Sequence, residues 1–489
     1  MKANKWFGLI ATFLLLVSTL SPAGVFAETE RTIEDESIYD LLVDRFNNAD
    51  GKNDFDVNTQ DLNSFSGGDF TGVGTKLEHI VRMGFTLVSL GPVFETETYD
   101  GSKVLDYAKL EPHFGTSEEF NKMIKAIHKQ DMSVIADFPL AGVSANHVWA
   151  KEGTVKALPA AEGTIDWDTS DAATQKALKE AVVDFMETYK LDGIRLTKID
   201  KIDTAFLDEI IQAVKTVNPK AYVLTNEESD ADFDSAPNNE KMNAMRNSFV
   251  NYDADSSPLS IFSNATEKEL VQFDELTGPR FTYDIVEARM FPPTRWKLAI
   301  TALFSMPGVP IMPYGTEIAV NGQSAPESHQ LLNFKIDEEL IEHIGDLNQL
   351  RNQSEAFRNG DFEMLHNDNG FTVYKISNDE ETWIVALNNT TGTANLEIPK
   401  EVIGDNKKLR GLLGADLVRE GKDGIYRVVL EREVAEIYIA DEDKGFNTPY
   451  LIASILIYVF FFGFLFFAFR KARKARKGRQ GKKSETVAK

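Results

Sequence analysis

The stretch Leu191-Asp192-Gly193-Ile194-Arg195-Leu196-Thr197 decides how the rest of this 489-residue chain is interpreted. Its apolar residues predict a buried strand, and Arg195 stands near the C-terminal end of that strand. In an α/β barrel the side chains that carry out chemistry lie at the C-terminal ends of the strands. We therefore expect Arg195 and Thr197 to lie at the centre of any functional site.

Helical and strand-like segments alternate on both sides of this stretch. Thr174–Tyr189 has helical spacing, and the helix Leu207–Val217 and the strand Tyr222–Thr225 follow. This alternation indicates βαβ units and a parallel sheet. From about residue 37 to 350 the series favours a closed (β/α)8 TIM barrel. The alternative is an open doubly wound sheet, which would need a glycine-rich phosphate loop that the sequence lacks.

The sequence pattern changes near Gly360. Phe371–Ile376, Thr382–Leu387 and Tyr426–Leu430 are short alternating segments between turn signals, which is typical of antiparallel strands. We therefore predict a barrel over residues 28–355, with a short inserted segment near 139–175. A small antiparallel β-sandwich domain is predicted over residues 356–440.

The N-terminus has the pattern of a secretory signal peptide. Lys2 and Lys5 precede the apolar run Phe7–Val17, and small residues around Ala27 form a cleavage site. We predict that residues 1–27 are removed. The alternative is that this segment remains as a membrane anchor.

The C-terminus has the pattern of a membrane anchor. After a tether over residues 441–449, the apolar run Tyr450–Phe469 has about 20 residues, enough to cross a bilayer as one helix. Residues 470–489 form a basic tail, which the positive-inside rule places in the cytoplasm. The expected protein is a single-pass type I protein of the cell membrane, with most of its chain extracellular.

Charge and cysteine content exclude several functions. The chain carries a net charge of −24, and its last 20 residues hold ten basic and one acidic side chain, which leaves −33 for the rest. Such an acidic ectodomain does not favour binding to nucleic acid. The absence of cysteine excludes disulfides, thiol nucleophiles and cysteine-ligated metals.

Several segments, in this order and spacing, resemble glycoside hydrolase family 13, the α-amylase family. The resemblance covers residues 37 to about 440 and is carried by Asp44-Arg45-Phe46, Gly67-Gly68-Asp69-Phe70, Leu90–Glu95, Pro112–Thr116, Met306–Pro310 and Tyr314–Glu317. It implies a retaining mechanism on α-glucosidic bonds. That mechanism needs a nucleophilic carboxylate and an acid about 5–5.5 Å apart. The family adds a second aspartate that holds the substrate.

The resemblance places three substituted positions in the catalytic centre. The nucleophile position, two residues after Arg195, is Thr197, and the acid position is Asn226. When the third motif is anchored on Arg289, its aspartate position is Val286. Because these residues lack carboxylates, the chain is expected to be a pseudoenzyme.

Carboxylates near these positions keep the alternative of an active enzyme open. Asp200 would serve as nucleophile if the backbone were rebuilt, and a bulge would bring Glu227 inward. Without a bulge Glu227 would point away, because neighbouring strand residues face opposite sides. The retained Arg195 needs a partner, since an unpaired buried charge is costly. We predict that Asp137 pairs with it.

An Asn/Asp-rich loop resembles a calcium site found in some family members. Calcium prefers six to eight oxygen ligands, and the candidate ligands are Asn48, Asp50, Asn53, Asp54, the Gly67 carbonyl and Asp69. We expect a structural calcium ion here. The alternative is a solvated cluster of Asn/Asp turns.

Three functions remain open from the sequence. The first is an extracellular, membrane-anchored protein that recognises an α-glucan or another polysaccharide without cleaving it. The second is a divergent hydrolase or transglycosidase that uses displaced carboxylates. The third is an accessory subunit that binds a membrane or cell-surface protein.

Overall fold

The fold is taken from a computed structural model that describes residues 31–161, 163–266, 268–335, 338–443 and 448–485. The predicted signal peptide, residues 1–27, lies outside the described residues.

The described chain contains parallel and antiparallel strands in separate groups. In chain order they are β1 Ile38–Leu41, β2 Leu87–Leu90, β3 Phe94–Thr96, β4 Val104–Leu110, β5 Ser133–Pro139, β6 Val143–Ser144, β7 Ala157–Pro159, β8 Thr164–Trp167, β9 Gly193–Thr197, β10 Tyr222–Thr225, β11 Leu270–Val271, β12 Val309–Pro313, β13 Asp361–Asp368, β14 Phe371–Ser377, β15 Thr382–Asn388, β16 Ala394–Pro399, β17 Lys407–Gly411, β18 Leu417–Arg419, β19 Ile425–Leu430 and β20 Val434–Glu442.

Helices alternate with the first twelve strands. The α-helices are α1 Val43–Phe46, α2 Phe70–Thr75, α3 Leu77–Arg82, α4 Ser117–His128, α5 Val148–Glu152, α6 Ala172–Tyr189, α7 Thr204–Val217, α8 Asn239–Phe249, α9 Phe281–Glu287, α10 Pro292–Ser305, α11 Glu339–Gln353, α12 Glu355–Asn359, α13 Lys400–Ile403 and α14 Thr448–Glu485. Short 3-10 helices cover Ile33–Asp35, Ser257–Asn264 and Thr316–Ile318.

Seven parallel strands form the curled sheet of the barrel, in the order β10-β9-β5-β2-β1-β12-β11. The segment between β10 and β11 continues the ring, because Ser235 bridges to Leu224 and Pro237 bridges to Leu270, both in parallel. The predicted barrel is therefore confirmed. Its eighth strand position is filled by this segment, which pairs only through isolated bridges. The C-terminal ends of the strands meet at one mouth, where a functional site is expected.

Apolar side chains fill the barrel interior. One buried cluster contains residues from most of the parallel strands: Ile33, Ile38, Leu87, Ile135, Tyr222, Leu224, Leu270, Val309 and Ile311. Gly193 opens β9 where the neighbouring strand approaches closely, because a Cβ there would overlap the carbonyl oxygen of Tyr222. This close packing fixes the register that brings Arg195 to the mouth.

The inserted segment and the C-terminal region are antiparallel. Strands β6, β8 and β7 form a small sheet within the predicted insertion near residues 139–175. In the C-terminal region β14 pairs with both β13 and β15, and β17 pairs with β18 and with Tyr438–Glu442 of β20. These pairings confirm the predicted antiparallel β domain.

By its internal contacts the chain divides into two units. The first extends to Leu396 and includes Val429–Ile437, and the second contains Glu397–Val428 and the chain from Tyr438 onward. Within the second unit, Tyr450–Arg473 of α14 is long and apolar enough to cross a membrane. The large apolar side chains of this segment are exposed.

Candidate functional site

A cavity of about 500 Å³ lies at the mouth of the barrel. Its lining comes from the C-terminal ends of several parallel strands and the loops that follow them. The lining includes Asp40, Asp137, Arg195, Thr197, Asn226 and Glu227, together with Gln272, Asp274, Glu275, Leu276 and Thr277. The mouth therefore gathers most of the residues that the sequence placed in the site.

Arg195 holds two carboxylates at the base of this cavity. Its Nε and Nη2 donate to Asp137 Oδ1 and Oδ2 at 2.6 and 2.9 Å. Its Nη1 and Nη2 donate to Asp40 Oδ2 and Oδ1 at 3.0 and 2.8 Å. The predicted Asp137–Arg195 pair is confirmed, and Asp40 is a second partner that sequence reasoning missed.

Strand register explains the first of these pairs. Asp137 on β5 and Arg195 on β9 are direct partners in neighbouring parallel strands. Asp40 lies on β1, which β2 separates from β5. Planar guanidinium groups suit paired carboxylates, because each pair forms two parallel hydrogen bonds. These three residues, called the Arg195 triad below, thus connect strands β9, β5 and β1 of the barrel.

Burial and charge set the proton affinities of the triad. Burial raises the pKa of Asp137 to about 6, although the Arg195 guanidinium opposes this shift. Burial works against the charge on Arg195, yet the Asp137 and Asp40 carboxylates raise its pKa above the ordinary value. Arg195 is therefore a permanent cation whose five donors are largely taken by its own partners.

Thr197 ends β9 beside the triad and is 5% exposed. Its side chain offers a hydroxyl group and no negative charge. A hydroxyl is a weak nucleophile unless a neighbouring base activates it.

Asn226 and Glu227 follow β10 and both line the cavity. The alternation that would point Glu227 away does not extend to it, because β10 ends at Thr225. The side-chain oxygen of Asn226 is buried and has no hydrogen-bond partner among the described residues.

The Glu227 carboxylate is occupied by backbone N–H groups of the loop after β9. Lys198 N–H donates to Oε1 at 2.6 Å, and the N–H groups of Ile199 and Asp200 donate to Oε2 at 3.1 and 3.0 Å. A general acid must carry a proton and aim it at the substrate. Here both carboxylate oxygens accept hydrogen bonds that fix the loop.

The placement of Val286 and Arg289 in the site was wrong. Val286 lies on α9, is 45% exposed and does not line the cavity. Arg289 is also exposed and has a φ of 58°. The prediction failed because the motif was aligned on Arg289. The buried arginine that follows β11 is Arg280.

Arg280 and Asp274 form the buried ion pair after β11. Arg280 is 0% exposed, and its Nη2 donates to Asp274 Oδ2 at 2.8 Å. Leu276 and Thr277 follow Asp274 and line the cavity. Phe273-Asp274 followed by Pro279-Arg280-Phe281 was the signal that would have located this motif. It was missed because β11 has only two residues.

Comparisons with known proteins agree with this architecture. The model of the α-amylase catalytic domain matches residues 40–167, and that of the α-amylase C-terminal domain matches residues 360–438. A crystal structure of an Anoxybacillus α-amylase, described as a new glycosyl hydrolase subclass, is 34% identical with a TM-score of 0.81. The match covers 85% of this chain and 100% of the Anoxybacillus chain. The chain belongs to the α-amylase family, glycoside hydrolase family 13.

Other members of the family extend the comparison. The Geobacillus thermoleovorans α-amylase, solved in complex with acarbose, is 32% identical with a TM-score of 0.77, covering 85% of this chain and 100% of that chain. A cyclomaltodextrinase of Geobacillus thermopakistaniensis is 24% identical, over 76% of this chain and 72% of its own length. The β/α-amylase of Paenibacillus polymyxa is 23% identical over 82% of this chain, which spans only 37% of that relative's length.

The predicted calcium loop brings some of its six residues together. Asn48 Nδ2 donates to Asp54 Oδ1 at 2.8 Å. A Cβ on Gly67 would overlap the Asn48 side-chain amide and lie 2.7 Å from Asp54 Oδ1, and the φ of 90° at this position favours glycine. Asn48, Asp54 and Gly67 therefore lie close together.

The other predicted ligands have partners within the protein. Asp69 Oδ1 caps α2 by accepting from Gly72 N–H, and Oδ2 accepts from Ala49 and Asp50 N–H at 2.8 and 2.9 Å. The Lys52 backbone N–H bonds to the Asp50 carboxylate and lowers its pKa. Asn53 lies near Gly115.

The donor set of this loop fits calcium better than a transition metal. Among the described residues no group of three or more His, Asp or Glu side chains is arranged to hold a metal ion. Amide and carbonyl oxygens would therefore have to complete the set beside the carboxylates, which are oxygen donors that calcium accepts.

The Arg195 triad generates a stability prediction. Arg195→Met should lower the free energy of unfolding by about 3–5 kcal/mol, because it leaves two buried carboxylates unpaired. Without the guanidinium the folded-state pKa of Asp137 rises further above its unfolded value of about 3.9. Stability is then retained at low pH and lost as pH rises, so the deficit should be larger at pH 8 than at pH 5.

Urea unfolding followed by tryptophan fluorescence at both pH values measures this effect. The matched control is Arg82→Met, whose partner Glu338 is an exposed carboxylate. The loss in the control should stay within about 1 kcal/mol. Equal losses in the two variants, or a deficit independent of pH, would contradict the account of the triad.

Proposed function

We propose that this chain is a membrane-anchored member of the α-amylase family that binds α-glucan outside the cell without cleaving it. The observation that carries the proposal is the composition of the barrel mouth. Thr197, not a carboxylate, lies beside Arg195, and both carboxylates nearest that arginine are already bound to it.

All three catalytic positions of the family are then substituted. In our assignment Thr197 replaces the nucleophile and Asn226 replaces the acid. Thr277 replaces the second aspartate, because it lies three residues after Asp274 and three before Arg280 at the end of the β11 segment. A retaining hydrolase needs two carboxyl groups facing the anomeric carbon, and hydroxyl and amide groups do not supply them.

The displaced Glu227 supports a binding role and not a catalytic one. Its carboxylate holds the loop of Lys198, Ile199 and Asp200 through three backbone N–H groups. Donating a proton to a leaving group would require it to give up hydrogen bonds that position this loop. A divergent hydrolase would therefore have to rebuild the mouth during each turnover.

The mouth retains features that suit a neutral sugar. Its volume of about 500 Å³ lies in the range of small-molecule sites. Thr197 and Asn226 line it with a hydroxyl and an amide group, which suit hydrogen bonds with sugar hydroxyls. A related α-amylase has been crystallised with the pseudo-oligosaccharide acarbose, which supports α-glucan as the ligand class.

The membrane location rests on α14. Its apolar part, Tyr450–Arg473, would cross the bilayer, and the basic tail that follows favours the cytoplasm. Cleavage of residues 1–27 would then leave a type I protein with its barrel outside the cell.

We also propose that calcium binds the loop around Asn48, Asp54 and Gly67. The ion would be held by amide, carbonyl and carboxylate oxygens. It would contribute stability to an exported chain that contains no cysteine.

The central prediction is binding without turnover. The full chain in detergent should release no reducing sugar from maltoheptaose, and it should bind maltotriose in isothermal titration calorimetry. Thr277→Phe should weaken maltotriose binding at least about tenfold, since it fills the mouth; that corresponds to 1.4 kcal/mol. Thr393→Phe, at an exposed site in the C-terminal β region, should have no effect.

Two outcomes would overturn this proposal. The first is steady hydrolysis that Glu227→Gln or Asp200→Asn abolishes, because that identifies a displaced catalytic carboxylate. The second is the absence of maltotriose binding by the wild-type chain, which removes α-glucan as the ligand of the mouth.

Cell fractionation tests the anchor. The full chain should remain in the membrane fraction after an alkaline carbonate wash, and protease added to intact protoplasts should digest it. A chain that ends at Asp443 should instead appear in the medium. Recovery of that truncated chain in the cytosol, or protection from the added protease, would contradict the type I topology.

Thermal unfolding tests the calcium ion. A saturating concentration of CaCl2 should raise the Tm relative to EGTA, because a ligand that binds only the native state stabilises it by about 2.7 kcal/mol at 100 times its Kd. Asp54→Asn should reduce this rise, and Asp56→Asn, which removes a neighbouring charge, should not. Equal Tm values with calcium and with EGTA would leave the Asn/Asp turn cluster as the correct interpretation.

A further inference from the structure

A second groove lies on the outside of the barrel, between α6 and the inserted segment. Its volume is about 620 Å³. It is formed by β4, by the chain around α5 and by one face of α6, and it shares no lining residue with the mouth. A ligand bound here would therefore not compete directly with one in the mouth.

One wall of the groove is aromatic and rigidly held. Trp149 is half-buried, and its ring centroid lies 5.2 Å from that of Tyr107 and 5.4 Å from that of Trp167. Trp167 Nε1 donates to the Tyr107 hydroxyl at 3.2 Å, and that hydroxyl donates to the Pro139 carbonyl at 2.7 Å. The half-buried Trp149 therefore packs against two buried rings, Tyr107 and Trp167, whose polar atoms are hydrogen-bonded.

The opposite wall is one face of α6. Ala177 and Ala181 are small and leave the space open, while Glu180, Asp184 and Glu187 are exposed carboxylates that line the groove. Residues three and four apart lie on the same face of a helix. The helix therefore presents an apolar strip edged by hydrogen-bond acceptors.

We propose that this groove is a second α-glucan site, separate from the barrel mouth. A pyranose ring has an apolar C–H face and outward hydroxyl groups. The face would stack on Trp149 and the hydroxyls would donate to Asp184 and Glu187, so that apolar and polar contacts both match. The choice of ligand class rests on the proposed function, but the site does not depend on the mouth.

With such a site, one polymer chain could bind the protein at both the groove and the barrel mouth. When two linked sites engage one chain, the second contact is intramolecular and the overall affinity exceeds that of either site. A long glucan would then bind more tightly than an oligosaccharide that reaches only one site.

Tryptophan fluorescence reports on this groove and not on the mouth. Trp149 is half-buried, whereas Trp167, Trp296 and Trp383 are 2%, 0% and 4% exposed. The mouth lining contains no tryptophan. Acrylamide quenching of the full chain, carried out in a Trp6→Phe background, therefore follows the exposure of Trp149.

Saturating maltoheptaose should lower the acrylamide quenching constant by about half, since a bound chain covers most of the ring surface that is open. Ala181→Phe, which fills the groove, should abolish this protection. Ala173→Phe, at an exposed position of α6 outside the groove, should retain it. Circular dichroism confirms that each variant is folded.

The Thr277→Phe variant separates the two proposals. Protection of Trp149 in this variant, in which the mouth is blocked, supports the groove as an independent site. Maltotriose binding in the mouth without any protection of Trp149 by maltoheptaose would overturn the groove and leave the proposed function intact. Protection by spermine in place of maltoheptaose would also overturn it, because it would identify an amine site.

Discussion

The ion pairing of Arg195 with Asp137 and Asp40 is the constraint on which the rest of the mouth depends. It joins β9, β5 and β1 at their C-terminal ends. A buried ion pair adds little net stability, but the loss of one partner is costly. The triad therefore holds the strand ends that surround the mouth in a fixed geometry. Thr197 and Asn226, which carry no carboxylate, line the mouth beside it.

The proposed binding role would have a hydrolase scaffold serve recognition. Positioning and chemistry are separable, because the strands place side chains at the mouth whatever those side chains are. Glu227 illustrates the change, since a carboxylate next to the acid position now holds the loop of Lys198 to Asp200. Asp40 and Asp137, the carboxylates of the mouth nearest Arg195, are both bound to it. The proposed site in the aromatic groove beside α6 would add a second surface for the same class of ligand.

The sequence predicted what short-range periodicity and register determine. The barrel, the antiparallel C-terminal strands and the Asp137–Arg195 pair all follow from segments with clear patterns. Asp40 was missed because it lies 155 residues from Arg195 and meets it only through the closure of the barrel. Val286 was misplaced because the two-residue β11 left no periodic signal, so the wrong arginine was chosen as anchor. The orientation of the Glu227 side chain could not be predicted, because the alternation of side chains between the two faces ends with β10 at Thr225.

The central claim is that no carboxylate of this mouth attacks an anomeric carbon. Mass spectrometry of the intact chain tests it directly, after incubation with a fluorinated α-glucosyl fluoride that traps the glycosyl-enzyme of retaining hydrolases. The account predicts an unchanged mass for the wild-type chain, under conditions in which an active α-amylase of the family is labelled fully. A covalent glucosyl adduct, mapped by peptide digestion to Asp200, Glu227 or another carboxylate of the mouth, would contradict it.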